Sequence, residues 1–68
     1  MKFERVYDSH YKHMIIGYAY EEGFIAKDAY LTWTGNEVIE GWSVENKEGK
    51  RMFYASTLKE AKAFVEAM

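Results

Sequence analysis

The sequence predicts an α+β fold, in which an antiparallel sheet of about four strands is covered on one face by a C-terminal helix. Short segments rich in aromatic and β-branched residues follow one another along the chain and are separated by polar turns, most of them containing glycine. The C-terminal residues instead carry apolar side chains at helical spacing. The connections are too short for parallel crossovers, so we expect sequential hairpins in a meander.

The first two strands are predicted at residues 3–7 and 14–20. In the first, Phe, Val and Tyr alternate with Glu and Arg. In the second, small residues at Gly17 and Ala19 lie on one face with Ile15, which would let the helix or a second chain approach closely. The bulky residues of this strand share the opposite face: Met14, Ile16, Tyr18 and Tyr20.

A hairpin at residues 21–23, in which Gly23 would supply a positive φ, leads into the longest strand candidate, residues 24–34. Neither face of this strand is cleanly polar. Asp28 lies in its middle, and we interpret it as a charge that discourages wrong pairing or as a hydrogen-bond partner for a tyrosine. The next strand is predicted at residues 38–44, with Gly41 a candidate bulge.

A four-residue turn at residues 46–49 precedes the last strand, residues 51–55. Thr57 and Glu60 then have the spacing of a capping box, with Ser56 as an alternative N-cap, and predict a helix at residues 58–67. Its apolar stripe is interpreted as core: Leu58, Ala61, Phe64, Val65, Ala67 and Met68.

The length of 68 residues predicts a single domain, residues 1–68, near the lower limit at which a hydrophobic core alone stabilises a fold. The chain has no Cys, so disulfides cannot help, and self-association as a homodimer is expected. The start of the sequence resembles neither a signal peptide nor a targeting helix, which indicates a cytoplasmic protein. The uncharged run at residues 14–20 is far shorter than the roughly 20 residues that span a bilayer.

No motif predicts catalysis, a metal or a cofactor. His10 and His13 are three residues apart, so their rings converge only if this stretch is a turn, and a zinc site would need about four ligands. No serine has the sequence context of a nucleophile elbow. We therefore expect a protein that is not an enzyme.

The surplus of aromatic residues predicts a binding surface. Six Tyr, four Phe and two Trp are more large rings than so small a domain can bury, and Tyr and Trp are enriched at interface hot spots. We expect the surface on the sheet face that the helix leaves free, or on an edge strand beside it. The candidate residues are Tyr18, Tyr20, Tyr30, Trp33, Trp42 and Tyr54.

These observations favour a non-enzymatic protein-binding module that acts as a small inhibitor or adaptor. In its small size, mild acidity, lack of Cys and aromatic content, the chain resembles the small proteins that bacteriophages and mobile elements encode to disable host machinery. The binding of a small ligand between sheet and helix is a further option, which the small size of the domain disfavours, because a ligand pocket needs several hundred Å³ (order of magnitude).

The alternative is a nucleic-acid-binding protein that stacks bases on an aromatic sheet face. The net charge of −2 disfavours it, because phosphate binding needs clustered positive charge. The local basic group at the predicted turn is diluted by Glu45 and Glu48, which favours a solvated hairpin tip. The cations available for phosphate contacts are Lys12, Lys27, Lys47, Lys50 and Arg51.

Overall fold

The computed structural model describes residues 2–68 and confirms the α+β prediction, with one strand more than expected. The strands lie in the order β1-β2-β3-β4-β5 and every neighbouring pair is antiparallel, so the sheet is the predicted meander. All five segments that were predicted as strands are paired in one sheet, with the N-terminal segment β1 as an edge strand beside β2, so the sheet has five strands and not about four. The elements are β1 (Glu4–Tyr7), β2 (Ile15–Tyr20), β3 (Gly23–Leu31), β4 (Glu37–Asn46), β5 (Arg51–Ala55) and α1 (Leu58–Glu66).

Helix α1 packs across β4 and β5 and covers one face of the sheet. Ile25, Val44 and Val65 are fully buried between these layers. The rings of Phe53 and Phe64 stack with centroids 4.4 Å apart. The core consists of Tyr20, Ile25, Trp42, Val44, Ala55, Ala61 and Val65, with Phe3, Tyr18, Phe53, Leu58 and Phe64 packed against it.

The other face of the sheet carries no helix among the described residues, and the sheet's own rings cover part of it. A Cβ atom on Gly17 would lie 2.5 Å from the ring of Phe24, so the missing side chain leaves room for that ring. The ring of Tyr54 lies over Gly41 in the same way. The Tyr54 hydroxyl donates a 2.6 Å hydrogen bond to Asp28, which confirms the interpretation of Asp28 as a tyrosine's partner.

Gly41 also lies at the predicted bulge. Asp28 pairs with Gly41, whereas Ala29 pairs with Ile39, so Glu40 is an extra residue in β4. A bulge of this kind increases the local twist and bends the strand. The bulge therefore separates the part of β4 under the helix from the part that follows the β3–β4 turn.

The prediction of a positive φ at Gly23 is wrong: among the glycines, Gly35 and Gly49 have positive φ values, of 88° and 84°. Gly23 is instead required by a close approach. A Cβ atom there would overlap the backbone oxygen of Glu45 and lie 2.7 Å from the hydroxyl of Tyr20. That hydroxyl donates a 2.9 Å hydrogen bond to the same Glu45 oxygen.

The predicted strand at residues 24–34 is too long at its end. β3 stops at Leu31, and the next residues form a turn in which the Thr32 amide donates to the Asn36 oxygen at 2.8 Å. This moves Trp33 from a strand to a turn. In residues 2–68 no helix has the length and apolar character needed to cross a membrane.

Candidate interaction surface

Residues 27–41 form a two-stranded ribbon that extends beyond the rest of the sheet. β2 pairs with β3 only as far as Ala26, and β5 pairs with β4 only from Trp42 onward. Within the described chain, the ribbon therefore has no neighbouring strand on either side. The molecule is correspondingly elongated, with extents of 39 × 22 × 20 Å.

The ribbon exposes a group of large apolar side chains. Trp33 at its tip is 97% exposed, and three other residues are about half exposed: Tyr30 at 52%, Leu31 at 56% and Ile39 at 48%. We call these four residues the ribbon surface. Leu31 and Ile39 lie on the helix side of the ribbon, Tyr30 on its opposite face and Trp33 at its tip. Such a concentration of exposed apolar side chains in one projecting element is typical of a binding surface.

The turn that carries Trp33 is held by its own hydrogen bonds. The Gly35 amide donates to the Thr32 oxygen at 2.9 Å, and the Asn36 amide donates to the Thr32 hydroxyl at 3.1 Å. The Thr34 hydroxyl lies 2.9 Å from that of Thr32 and also accepts from the Asn36 side chain. Trp33 therefore projects from an ordered turn, so little backbone entropy is lost when the indole is buried by a partner.

A second turn at the other end of β4 has the same backbone geometry. The Asn46 amide donates to the Lys50 oxygen and the Gly49 amide donates to the Asn46 oxygen, both at 3.0 Å. In the first turn the corresponding hydrogen bonds run from Thr32 to Asn36 and from Gly35 to Thr32. Gly49 and Gly35 also share a positive φ. Lys47 thus occupies the position in the second turn that Trp33 occupies in the first. The two turns have the same backbone geometry but carry different side chains at this position.

The loop between β1 and β2, residues 8–14, stands beside the ribbon. The Asp8 amide donates to the Met14 oxygen at 2.9 Å and closes the loop. The Asp8 carboxylate accepts the amides of His10 and Tyr11 at 2.7 and 2.9 Å. These two amide hydrogen bonds, that from Tyr11 being the stronger influence, lower the pKa of Asp8.

A groove runs between this loop and the ribbon. It consists of two clefts of about 240 and 370 Å³. The two clefts share four of their lining residues: Met14, Ile15, Lys27 and Glu37. The Lys27 ammonium pairs with the Glu37 carboxylate, and the lysine side chain is only 10% exposed. The smaller cleft follows the edge of β3, and the larger one is bordered by Ile39, Trp42 and the start of α1.

The six aromatic residues predicted as an interaction surface do not share one face. Tyr30 and Trp33 lie together on the ribbon, and Tyr54 is exposed on the sheet face opposite the helix. Tyr20 and Trp42 are buried, and Tyr18 is half-buried, on the face that packs against α1. Burial, with a smaller contribution from Glu22, raises the pKa of Tyr20.

Leu31 and Ile39 were missed as surface residues, because the prediction considered only tyrosine and tryptophan side chains. Their exposure comes from the length of the ribbon, which reaches past the helix. The sequence does contain a signal for this: the predicted third strand, residues 24–34, is longer than the predicted second strand, residues 14–20. The far end of a longer strand has no neighbour to pair with.

The cations proposed for phosphate binding are dispersed. Lys47 and Lys50 belong to the second turn, whereas Lys27 is paired with Glu37 in the groove. The Arg51 guanidinium donates to the Ser43 hydroxyl at 2.9 Å and lies 4.8 Å from the ring centroid of Tyr54. Lys12 belongs to the β1–β2 loop. No single basic surface is formed by these residues.

The two histidines flank a tyrosine in the β1–β2 loop. The rings of His10 and His13 lie 6.1 and 6.4 Å from that of Tyr11, each edge to face. In residues 2–68 there is no group of three or more side chains placed to hold a metal ion.

Comparison with known proteins adds no family to this description. No protein-family model matches the chain, and no curated protein and no solved structure is significantly similar to it.

Proposed function

We propose that this chain is a protein-binding module without catalytic activity, which acts as an inhibitor or adaptor by covering a partner's surface with its ribbon. The observation that carries the proposal is the 97% exposure of Trp33 on an ordered turn. Tryptophan is the residue most enriched at interface hot spots, where loss of the side chain costs roughly 2 kcal/mol or more. Tyr30 on one face of the ribbon, and Leu31 and Ile39 on the other, add further exposed apolar area.

The charge of the ribbon indicates the kind of partner. The ribbon contains one basic residue, Lys27, and three acidic residues, Asp28, Glu37 and Glu40. The chain's net charge of −2 therefore resides in the ribbon, since the remaining residues contain equal numbers of acidic and basic side chains. A complementary protein surface has an apolar pocket for the indole and basic residues around it. The same charge disfavours nucleic acid, and the absence of Cys suits a partner in the cytoplasm.

The experiment is capture of partners from a nuclease-treated lysate on the immobilised protein, using two matched variants. Trp33→Ala removes the indole, and Lys47→Ala makes the same truncation at the equivalent position of the second turn. We expect a stoichiometric protein to be retained by the wild type and by Lys47→Ala. The Trp33→Ala variant should bind it at least thirtyfold more weakly, which corresponds to about 2 kcal/mol.

Folding must be measured alongside binding. Because Trp33 is almost fully exposed, its truncation should change the free energy of unfolding by no more than about 0.5 kcal/mol. Retention of the partner by Trp33→Ala at wild-type affinity would contradict the proposal. So would retention that disappears on nuclease treatment, which would favour the nucleic-acid alternative.

A further inference from the structure

The edge of β3 within the ribbon has unpaired backbone groups. The Thr32 amide donates to Asn36 and so points toward β4. The direction of the backbone N–H and C=O groups alternates along a strand. Those of Tyr30 therefore also point toward β4, whereas those of Ala29 and Leu31 point away from it. β2 does not reach these two residues, because its pairing with β3 ends at Ala26.

Beyond Lys27 and Asp28, this edge lacks the features that protect the other edges of the described sheet. Natural sheets prevent edge pairing with bulges and charged residues. The ribbon edge of β4 has the bulge at Glu40 and a second carboxylate at Glu37. β1 and β5 also pair with their neighbours through register shifts, and both strands contain charged residues. Residues 29–31 have neither a bulge nor a charge.

The unprotected edge opens into the smaller cleft of the groove. Asp8, Met14 and Ile16 form the opposite wall, and the cleft volume is about 240 Å³. The hydrogen bond between Asp8 and Met14 closes the loop that forms this wall. An extended segment can add to a free strand edge of this kind as a further strand of the sheet.

The side chains around the edge define the chemistry of such a segment. On the face opposite the helix, a residue opposite Tyr30 would lie beside the Tyr30 ring, which favours a cation. Asp28, whose carboxylate also accepts the Tyr54 hydroxyl, adds a negative charge on the same face. On the other face, residues opposite Ala29 and Leu31 would contact Leu31, Met14 and Ile15, which favour aliphatic side chains.

We propose that an extended segment of a partner protein, with alternating aliphatic and basic residues, adds to the sheet along residues 29–31 by pairing its backbone with Ala29 and Leu31. The inference rests on the proposed function, since it names how a bound protein engages the ribbon. It adds a main-chain contact in the groove to the side-chain contact made by Trp33.

The test uses the full chain and a synthetic peptide, acetyl-Val-Lys-Val-Lys-Val-amide, with acetyl-Val-Glu-Val-Glu-Val-amide as the control. Titration is followed by ¹⁵N-resolved NMR together with amide hydrogen exchange. We expect the lysine peptide to shift the Ala29 and Leu31 amide signals and to slow their exchange. The glutamate peptide should produce neither effect, because Asp28 and the acidic ribbon repel it.

Two variants separate the edge from general damage to the ribbon. Ala29→Pro removes an outward amide on the β3 edge. Val38→Gly weakens the facing strand at the residue opposite Tyr30, but it keeps every backbone amide and lies outside the ribbon surface and the groove lining. We expect Ala29→Pro to weaken peptide binding about tenfold and Val38→Gly to leave it within about twofold.

The inference is overturned if the peptide at millimolar concentration leaves the Ala29 and Leu31 amides unprotected, or if the glutamate peptide binds equally well. It is also overturned if sedimentation shows a dimer that Ala29→Pro dissociates, because a second copy would then occupy the edge. Even if both variants unfold, the exchange measurement on the wild type still tests the inference. If partner capture depends on Trp33 but the peptide does not protect the Ala29 and Leu31 amides, the proposed function stands and this inference is wrong. If capture does not depend on Trp33 and the amides are also unprotected, the proposed function and this inference are both wrong.

Discussion

Gly23 lies where the backbone of β4 and the ring of Tyr20 meet the end of a hairpin, and this crowding explains its identity. Its φ is not positive, so conformational freedom is not what the position requires. A Cβ atom would overlap the Glu45 oxygen and displace the Tyr20 hydroxyl that is bonded to it. Gly49 is the opposite case, since its φ is 84° and a Cβ atom there would meet no other group within 4 Å. Gly23 is therefore required by the close approach of neighbouring groups, and Gly49 by its positive φ.

We predict that Gly23→Ala destabilises the protein more than Gly49→Ala. Overlap with a backbone oxygen costs about 1–3 kcal/mol, and the Tyr20 hydrogen bond would be strained in addition. At Gly49 the cost is the left-handed backbone alone, about 1 kcal/mol. Urea unfolding of the two variants measures the difference. Equal losses would show that the close approach at Gly23 is relieved by a small backbone shift.

Residue identity alone did not reveal these roles. A glycine after Glu21-Glu22 suggests a turn that needs positive φ. Gly35 and Gly49, which also lie in polar turns, do have positive φ values. The close approach at Gly23 depends on Glu45, which is distant in sequence and is brought there by the β3–β4 pairing. For Asp28, one of the two interpretations is confirmed, because its carboxylate accepts a hydrogen bond from the Tyr54 hydroxyl.

At the scale of elements, the helix was the best predicted part of the chain. The structure places α1 at Leu58–Glu66 with Thr57 as its N-cap. The Thr57 hydroxyl accepts the Glu60 amide at 3.2 Å and donates to the Glu60 carboxylate at 3.0 Å. These contacts are local in sequence, and for that reason the capping pattern predicts them without knowledge of the fold.

Thr57→Ala should lower the free energy of unfolding by about 1 kcal/mol, because the Glu60 amide loses its acceptor. Ser56→Ala is the matched control, since the Ser56 hydroxyl donates to the same carboxylate at 3.0 Å but accepts no backbone amide. Its effect should be within about 0.5 kcal/mol. Thermal or urea unfolding compares the two. A larger loss from Ser56→Ala would identify Ser56 as the energetically important cap.

Strand ends were harder to predict than the helix. Thr32, Trp33 and Thr34 all favour strands, so propensity extends β3 through them. Hydrogen bonds from Gly35 and Asn36 to Thr32 instead end the strand before Thr32. The sequence predicts a turn at Gly35 and Asn36, but it does not show that this turn includes Trp33. The bulge at Gly41 was predicted correctly, because a glycine in the interior of a strand pattern is typical of a bulge.

The whole molecule has two unlike ends. The ribbon tip and the β1–β2 loop lie at one end of the sheet, with most of the exposed aromatic and aliphatic side chains. The opposite end has the turn at residues 46–50 and the turn at Glu21 and Glu22, which are charged. This polarity arises because β3 and β4 are longer than β2 and β5, so their hairpin projects from one end only.

The candidate site was only partly predictable for the same reason. Tyr30 and Trp33 were identified from residue type, whereas Tyr20 and Trp42 could be assigned to the core only once the face covered by α1 was known. Periodicity shows which residues share a face but not which face receives the helix. The groove could not be predicted from the sequence, since it forms between the β1–β2 loop and a ribbon distant in sequence.

The most direct test of the central claim is a hydrogen-exchange footprint of the chain bound to its captured partner. We predict that protection increases within residues 27–41 and in the loop at residues 8–14 beside the groove. The turn at residues 46–50 should exchange at the same rate in the free and bound states, because it lies at the other end of β4. Protection centred on residues 46–55 or on α1, with an unchanged ribbon, would contradict the account.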